Sequence, residues 1–122
     1  YSASKKKDNK VVNLWGTGKP LRDILHVNAV AEACEFFLIK KTKSSLINIW
    51  SSTEMSIKEY ANLIKKKIDP SVKIKFDNNI KLDGVRRKKL NISLANQNGW
   101  RAKINFSKAL DNTIEDFKNS KR

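Results

Sequence analysis

The sequence predicts an α/β fold, in which short strands alternate with about four helices around a small core. Three observations predict it. Val72-Lys73-Ile74-Lys75-Phe76 alternates apolar and charged residues, the mark of a strand with one wet face. Ser56-Ile57-Lys58-Glu59 is a capping box, serine at the N-cap and glutamate three residues on. Val30, Ala33, Cys34, Phe37 and Leu38 recur at the spacing of one helical face.

The elements follow in order. Residues 1–10 are polar and basic and read as a disordered end or linker. Val11-Val12-Asn13-Leu14-Trp15 reads as a strand, stopped by Gly16-Thr17-Gly18-Lys19-Pro20, where two glycines and a proline shape a loop. Asp23-Ile24-Leu25-His26-Val27 is a second extended segment, and Asn28 is a suitable N-cap for a helix running to about Lys40. Leu46-Ile47-Asn48-Ile49-Trp50 reads as the next strand. Ile57, Tyr60, Ala61, Ile64 and Ile68 stripe the helix that the capping box opens, which ends before Asp69-Pro70. After the strand at 72–76, residues 77–91 carry no clear period. A short helix at 93–98 ends at Gly99, and Ser107 caps a last helix with Leu110, Ile114 and Phe117 on its buried side.

Composition narrows the class. No apolar run approaches the ~20 residues that span a bilayer, and the basic N-terminus lacks the apolar stretch of a secretory signal. One cysteine and one histidine supply neither a disulfide framework nor a zinc site. These features fit a cytoplasmic protein without membrane contact. The net charge of +14 admits two readings: a footprint for nucleic acid, or lysine accumulated through A/T-rich codons together with Asn and Ile. The cations run along the whole chain, as on a solvated surface, except where Arg86-Arg87-Lys88-Lys89 gathers four of them. Nucleic acid is therefore the alternative partner, as for a small basic binding module, and not the expected one.

Two loops could carry chemistry. In Trp15-Gly16-Thr17-Gly18-Lys19-Pro20-Leu21-Arg22-Asp23 the glycines would let backbone N–H groups approach an anion. Arg22 could fork onto a phosphate, and Trp15 could stack on a base or sugar, although a tryptophan ending a strand is often core. The loop matches neither a Walker motif nor Gly-x-Gly-x-x-Gly. Asp83-Gly84 followed by the cation run would suit a diphosphate, or be a solvated basic turn. His26 reads as structural, Cys34 as a buried inert thiol, and Trp50 and Trp100 as core.

Taken in order, these segments resemble the C-terminal third of the GDP-L-fucose synthases, a family of extended short-chain dehydrogenases/reductases. The specific pieces are Leu14-Trp15-Gly16-x-Gly18-x-Pro20-x-Arg22-Asp23-x-x-His26-Val27 and Lys81-x-Asp83-Gly84-x-x-Arg87-Lys88, and the resemblance covers roughly residues 11–118. It implies that residues 11–122 are the C-terminal, substrate-binding portion of such an enzyme, without the N-terminal cofactor-binding domain. It also implies a substrate site with Trp15, Arg22 and Lys88, joined by Leu14, Asp83 and Arg87, in which Arg22 and Lys88 neutralise the diphosphate of a GDP-4-keto-6-deoxy sugar. A UDP- or dTDP-sugar epimerase or dehydratase is the related alternative. The family epimerises its substrate and reduces it with NADP as cofactor, typically as a homodimer. The glycine-rich cofactor loop, the Tyr-x-x-x-Lys and the family's acid/base pair have no match among these residues, so no catalytic residue is expected here. The chain alone is expected to bind no cofactor and to be inactive. The chain also departs from the family at Trp50-Ser51-Ser52, where glycines are usual.

Overall fold

A computed structural model describes residues 10–120. They form two compact units: the described residues up to Arg22 with Met55–Arg87, and Asp23–Glu54 with the chain from Lys88 onward. The elements are β1 (Val11–Leu14), β2 (Leu21–Asp23), α1 (Val27–Lys40), β3 (Glu54–Ser56), α2 (Ile57–Ile68), β4 (Lys73–Phe76), a 3-10 turn (Ile80–Leu82), α3 (Ser93–Gln97) and α4 (Phe106–Asn119). The four helices and short strands are the architecture that the sequence predicts. No helix among the described residues is long and apolar enough to cross a membrane.

In the first unit β1 and β4 are parallel, with Val11 opposite Lys73 and Leu14 opposite Phe76. Parallel strands need a long crossover, and α2 lies on the stretch of chain between them. The expected alternation holds: Lys73 and Lys75 are exposed, while Ile74 and Phe76 are half-buried. The capping box forms as read, Ser56 Oγ accepting from Glu59 N at 3.2 Å and Glu59 Oε2 accepting from Ser56 N at 2.7 Å. Ile57, Tyr60, Ala61, Ile64 and Ile68 face Leu14 and Ile74 across an apolar cavity of about 650 Å³. Of the expected polar end, residues 1–9 lie outside the described residues. Lys10 is tied in, its carbonyl accepting from Lys73 N at 2.8 Å and its ammonium paired with Asp69.

In the second unit Ala33, Ala95 and Trp100 form the buried centre, with Leu25, Phe36, Phe37, Ile47 and Ile49 packed against it. Phe37 stands edge-on to Phe36, ring centroids 5.1 Å apart, and Trp100 lies 6.4 Å from Phe37. Gly99, at φ +93°, ends α3 in the left-handed conformation that glycine tolerates, and it turns Trp100 N back onto the Ala95 carbonyl at 3.0 Å. Trp50 and Trp100 are core, as expected.

Several local expectations are corrected. The second extended segment is a strand only over Leu21–Asp23, because α1 begins at Val27 with His26 Nδ1, not Asn28, accepting at the cap. Leu46–Trp50 is not a strand. It is apolar enough for a strand, but a strand exists only where a ladder partner exists, and among the described residues none pairs with it; β3 forms instead at Glu54–Ser56. Asn105, not Ser107, caps α4, accepting from Lys108 N at 2.9 Å, and Ala109 is the helix's buried residue while Phe117 is exposed. Cys34 is exposed. Of the expected face of α1, Ala33 and Phe37 do pack in the core, whereas Val30 and Leu38 are exposed and Ala29 is buried instead.

Candidate functional site: a clamped loop beside a cation run

The loop after β1 is clamped from the far side of the sequence. Gly16 N donates to Asp77 Oδ1 at 2.8 Å, and Thr17 gives both its N–H and its hydroxyl to the two oxygens of Asp83, each at 2.6 Å. Lys19 N donates to Thr17 Oγ1 at 3.2 Å. The Thr17 hydroxyl, and then its N–H, hold the Asp83 carboxyl below its ordinary range. Asp83 therefore spends both oxygens inside the protein. A Cβ on Gly16 would lie 2.4 Å from Asp83 Oδ1, and one on Gly18 would lie 2.6 Å from the Phe76 ring. These glycines let side chains close over the loop, and the Gly16 N–H is already spent on Asp77.

The start of α2 is closed in the same way. Ile57 N donates to the Pro20 carbonyl at 3.1 Å, Lys58 N to the Gly18 carbonyl at 2.9 Å, and Glu59 N to Ser56. A helix N-terminus attracts anions through such N–H groups, and here all three are already bonded. What remains for binding is side-chain charge and one aromatic face.

Trp15 supplies the face. It is 81% exposed, whereas its neighbour Leu14 lies against the α2 cavity. Among the described residues the tryptophan is therefore not part of a core. Arg22 is fixed through its backbone: the Tyr60 hydroxyl, on a buried side chain, donates to the Arg22 carbonyl at 3.0 Å. Its guanidinium Nη1 donates to the Leu21 carbonyl at 2.7 Å, and no carboxylate among the described residues pairs with it. The cation run joins the same strand, Leu21 N donating to the Arg86 carbonyl at 2.9 Å and Leu21 bridging Arg87 in parallel. The fold so brings Trp15, Arg22, Asp83 and Arg87 into one unit. Lys88 belongs to the other, exposed and without a hydrogen-bond partner among the described residues.

Sequence reasoning missed Asp77, Thr17 and Tyr60 as the groups that hold this loop. Asp77-Asn78-Asn79 offered a turn signal, Asp77 Oδ1 also accepting from Asn79 N at 2.9 Å, but nothing in it points to Gly16. His26 has the structural role expected of it, accepting from Asn28 N at 3.2 Å. No cluster of three or more His, Cys, Asp or Glu suited to a metal occurs among the described residues.

Comparison with known proteins bears on this geometry. No family model matches the chain. It is 36% identical over 104 residues to GDP-L-fucose synthase 1 of Arabidopsis thaliana, covering 85% of this chain and 32% of that protein. To the GDP-L-fucose synthase of Sinorhizobium fredii it is 33% identical over 114 residues, covering 93% and 36%. A GDP-mannoheptose C4 reductase from Campylobacter jejuni, solved with NADP bound, superposes with a TM-score of 0.78 at 25% identity, over 90% of this chain and 35% of that one. The chain spans about a third of the length of the curated relatives it matches.

Proposed function

We propose, since the chain belongs to the GDP-L-fucose synthase family of extended short-chain dehydrogenases/reductases, that it is the nucleotide-sugar-binding part of a GDP-sugar epimerase/reductase. The reaction pairs epimerisation of a GDP-4-keto-6-deoxy sugar with reduction by NADPH. The hydride comes from a cofactor held by a preceding half, with which this part would work in the cytoplasm as a homodimer. A solved relative carries NADP, which supports that choice of cofactor. This part contributes grip and no proton transfer.

One observation carries the reading: Arg22, the cation on the first of the family's two specific motifs, has no carboxylate partner among the described residues. An unneutralised guanidinium fits a doubly charged diphosphate as a planar fork, and Lys88 adds a mobile point charge. Trp15 presents an exposed ring for the base or sugar. Leu14 and Asp83 act behind this surface, one in the cavity wall and the other as the loop clamp, and Arg87 adds charge from the chain bridged to Leu21.

The test is nucleotide binding by the complete enzyme. A charge-assisted hydrogen bond contributes about 1.5–3 kcal/mol, so Arg22→Ala or Lys88→Ala should raise the Kd for the GDP-sugar at least about tenfold. Titration calorimetry reads it, and unchanged affinity in both variants rejects the assignment.

A further inference from the structure

Asp23 follows Arg22 directly and has a different environment. One carboxylate oxygen, Oδ1, accepts from the Ser51 hydroxyl, and the backbone N–H groups of Ser51 and Ser52 also bond the carboxylate. The other oxygen, Oδ2, is buried and has no hydrogen-bond partner among the described residues. Buried acceptors are nearly always paired, so an orphan on a charged group calls for an explanation. Asp23 opens on a pocket of about 110 Å³ whose walls are Leu25, Ile49, Trp50 and Leu90 and whose remaining member is Lys88. Lys88 and Leu90, two positions apart in extended chain, line the same pocket. Every lining group but two is apolar, and those two carry opposite charge.

We infer that Asp23 Oδ2 is the resting seat of the Lys88 ammonium, which makes Asp23 a positioning residue for that lysine. Lys88 is the one cation lining the pocket. It has three rotatable donors on a flexible four-carbon stem, enough to reach in to the carboxylate or out to solvent. An ammonium held there is kept beside the chain that carries Arg22 and Asp23, so less side-chain freedom is lost when an anion arrives. An arriving phosphate competes with Asp23 for the lysine and returns the carboxylate to an unpaired state. Burial already raises the Asp23 pKa, the Ser51 bonds oppose that, and the Glu54 carboxylate adds repulsion. Lys88 is the counter-charge to all of these. The seat stands on the pocket geometry alone; its release by nucleotide rests on the function proposed above.

Carboxyl-carbon NMR titration of the whole chain at low ionic strength tests it, with the Asp23 signal assigned through Asp23→Asn. Lys88→Met keeps the stem and removes the charge, and Asp23 should then titrate at higher pH than in the parent chain. Lys89→Met, the same charge change one residue on, should leave Asp23 where it was. Equal Asp23 titration in the parent and Lys88→Met, or an equal shift from Lys89→Met, overturns the seat and leaves a pocket filled by water. GDP should move the parent's Asp23 toward its Lys88→Met behaviour and have no such effect on Lys88→Met. Should GDP perturb no signal while Lys88→Met still shifts Asp23, the seat stands and the nucleotide reading falls.

Discussion

Replacing Gly18 by alanine should cost the first unit most of its stability. The backbone at Gly18 sits at φ +72°, where a Cβ costs roughly 1–2 kcal/mol. That Cβ would also lie 2.6 and 2.7 Å from two carbons of the Phe76 ring, and Phe76 is fixed in β4 opposite Leu14. Overpacking against this ring costs about 1–3 kcal/mol more. The sum, about 2–5 kcal/mol, compares with a stability on the order of 5 kcal/mol for a unit this small. Gly84 is the internal control. Its φ is +64°, but nothing lies within 4 Å of its Cβ position, so Gly84→Ala bears only the first cost. Urea unfolding followed by circular dichroism should rank parent, Gly84→Ala and Gly18→Ala in falling order. Phe76→Leu, which shortens the ring, should recover part of the Gly18→Ala loss in a double-mutant cycle. A Gly18→Ala chain as stable as Gly84→Ala would refute the claim that ring contact, and not anion approach, fixes glycine there.

Acid should unfold the first unit in a definable window. Asp69 is held down to about 2 by the Lys10 ammonium and the Ser71 hydroxyl, and a depressed carboxylate contributes stability that is complete above its unfolded pKa of 3.8 and lost as pH falls through about 2. Asp83 shifts in the same direction, so Asp69→Asn should flatten the stability curve below about pH 4, as read by thermal melts across pH; an unchanged slope counts against the Lys10 pairing. With NADPH and the 4-keto sugar nucleotide, the 122-residue chain should oxidise no cofactor above background; spectrophotometric turnover would show that chemistry resides in this part. The chain should also self-associate more as salt rises, because Leu38, Ile39 and Leu46 are 75–80% exposed and only charge repulsion opposes contact. Light scattering that finds a monomer at both low and high salt rejects this.

What could be read from the sequence was local. The capping box at Ser56 and the alternation at 72–76 each bring every interaction that they need within a few residues, and both formed as read. The face of α1 could be read only in part. Ala33 and Phe37 were legible and pack with Ala95 and Trp100, but Val30 and Leu38 are exposed and Ala29 is buried, because which flank of the stripe is covered depends on residues far along the chain. Leu46–Trp50 has the apolar, β-branched content of a strand and no partner among the described residues, and composition does not create one. In the candidate site, the family motifs pointed to Trp15, Arg22 and Lys88, but the clamp was hidden. Its bonds join residues 61 and 66 positions apart, and an aspartate in an aperiodic stretch gives no sign of where its oxygens point.

The clamp changes what kind of anion site this can be. A glycine loop running toward a helix start usually binds phosphate through backbone N–H groups, which are fixed and uncharged. Here the N–H groups of Gly16, Thr17 and Lys19 and those of Ile57, Lys58 and Glu59 all end on protein oxygens. Freeing Thr17 N for a ligand would strand an Asp83 oxygen next to the incoming phosphate, like charge against like. These six donors are taken, so the phosphate binding proposed above would draw chiefly on guanidinium and ammonium groups. Such binding weakens with ionic strength far more than a backbone cradle would, because the interacting charges are exposed and screened. It also makes the two loops unequal: the first contributes rigidity, set by Asp77, Asp83 and the Phe76 ring, while the second contributes charge. A substitution in the clamp should disturb binding by loosening Arg22 and Trp15, whereas a substitution in the cation run should disturb it through charge alone. Salt dependence of binding separates the two, since only the loss of a cation lowers its slope.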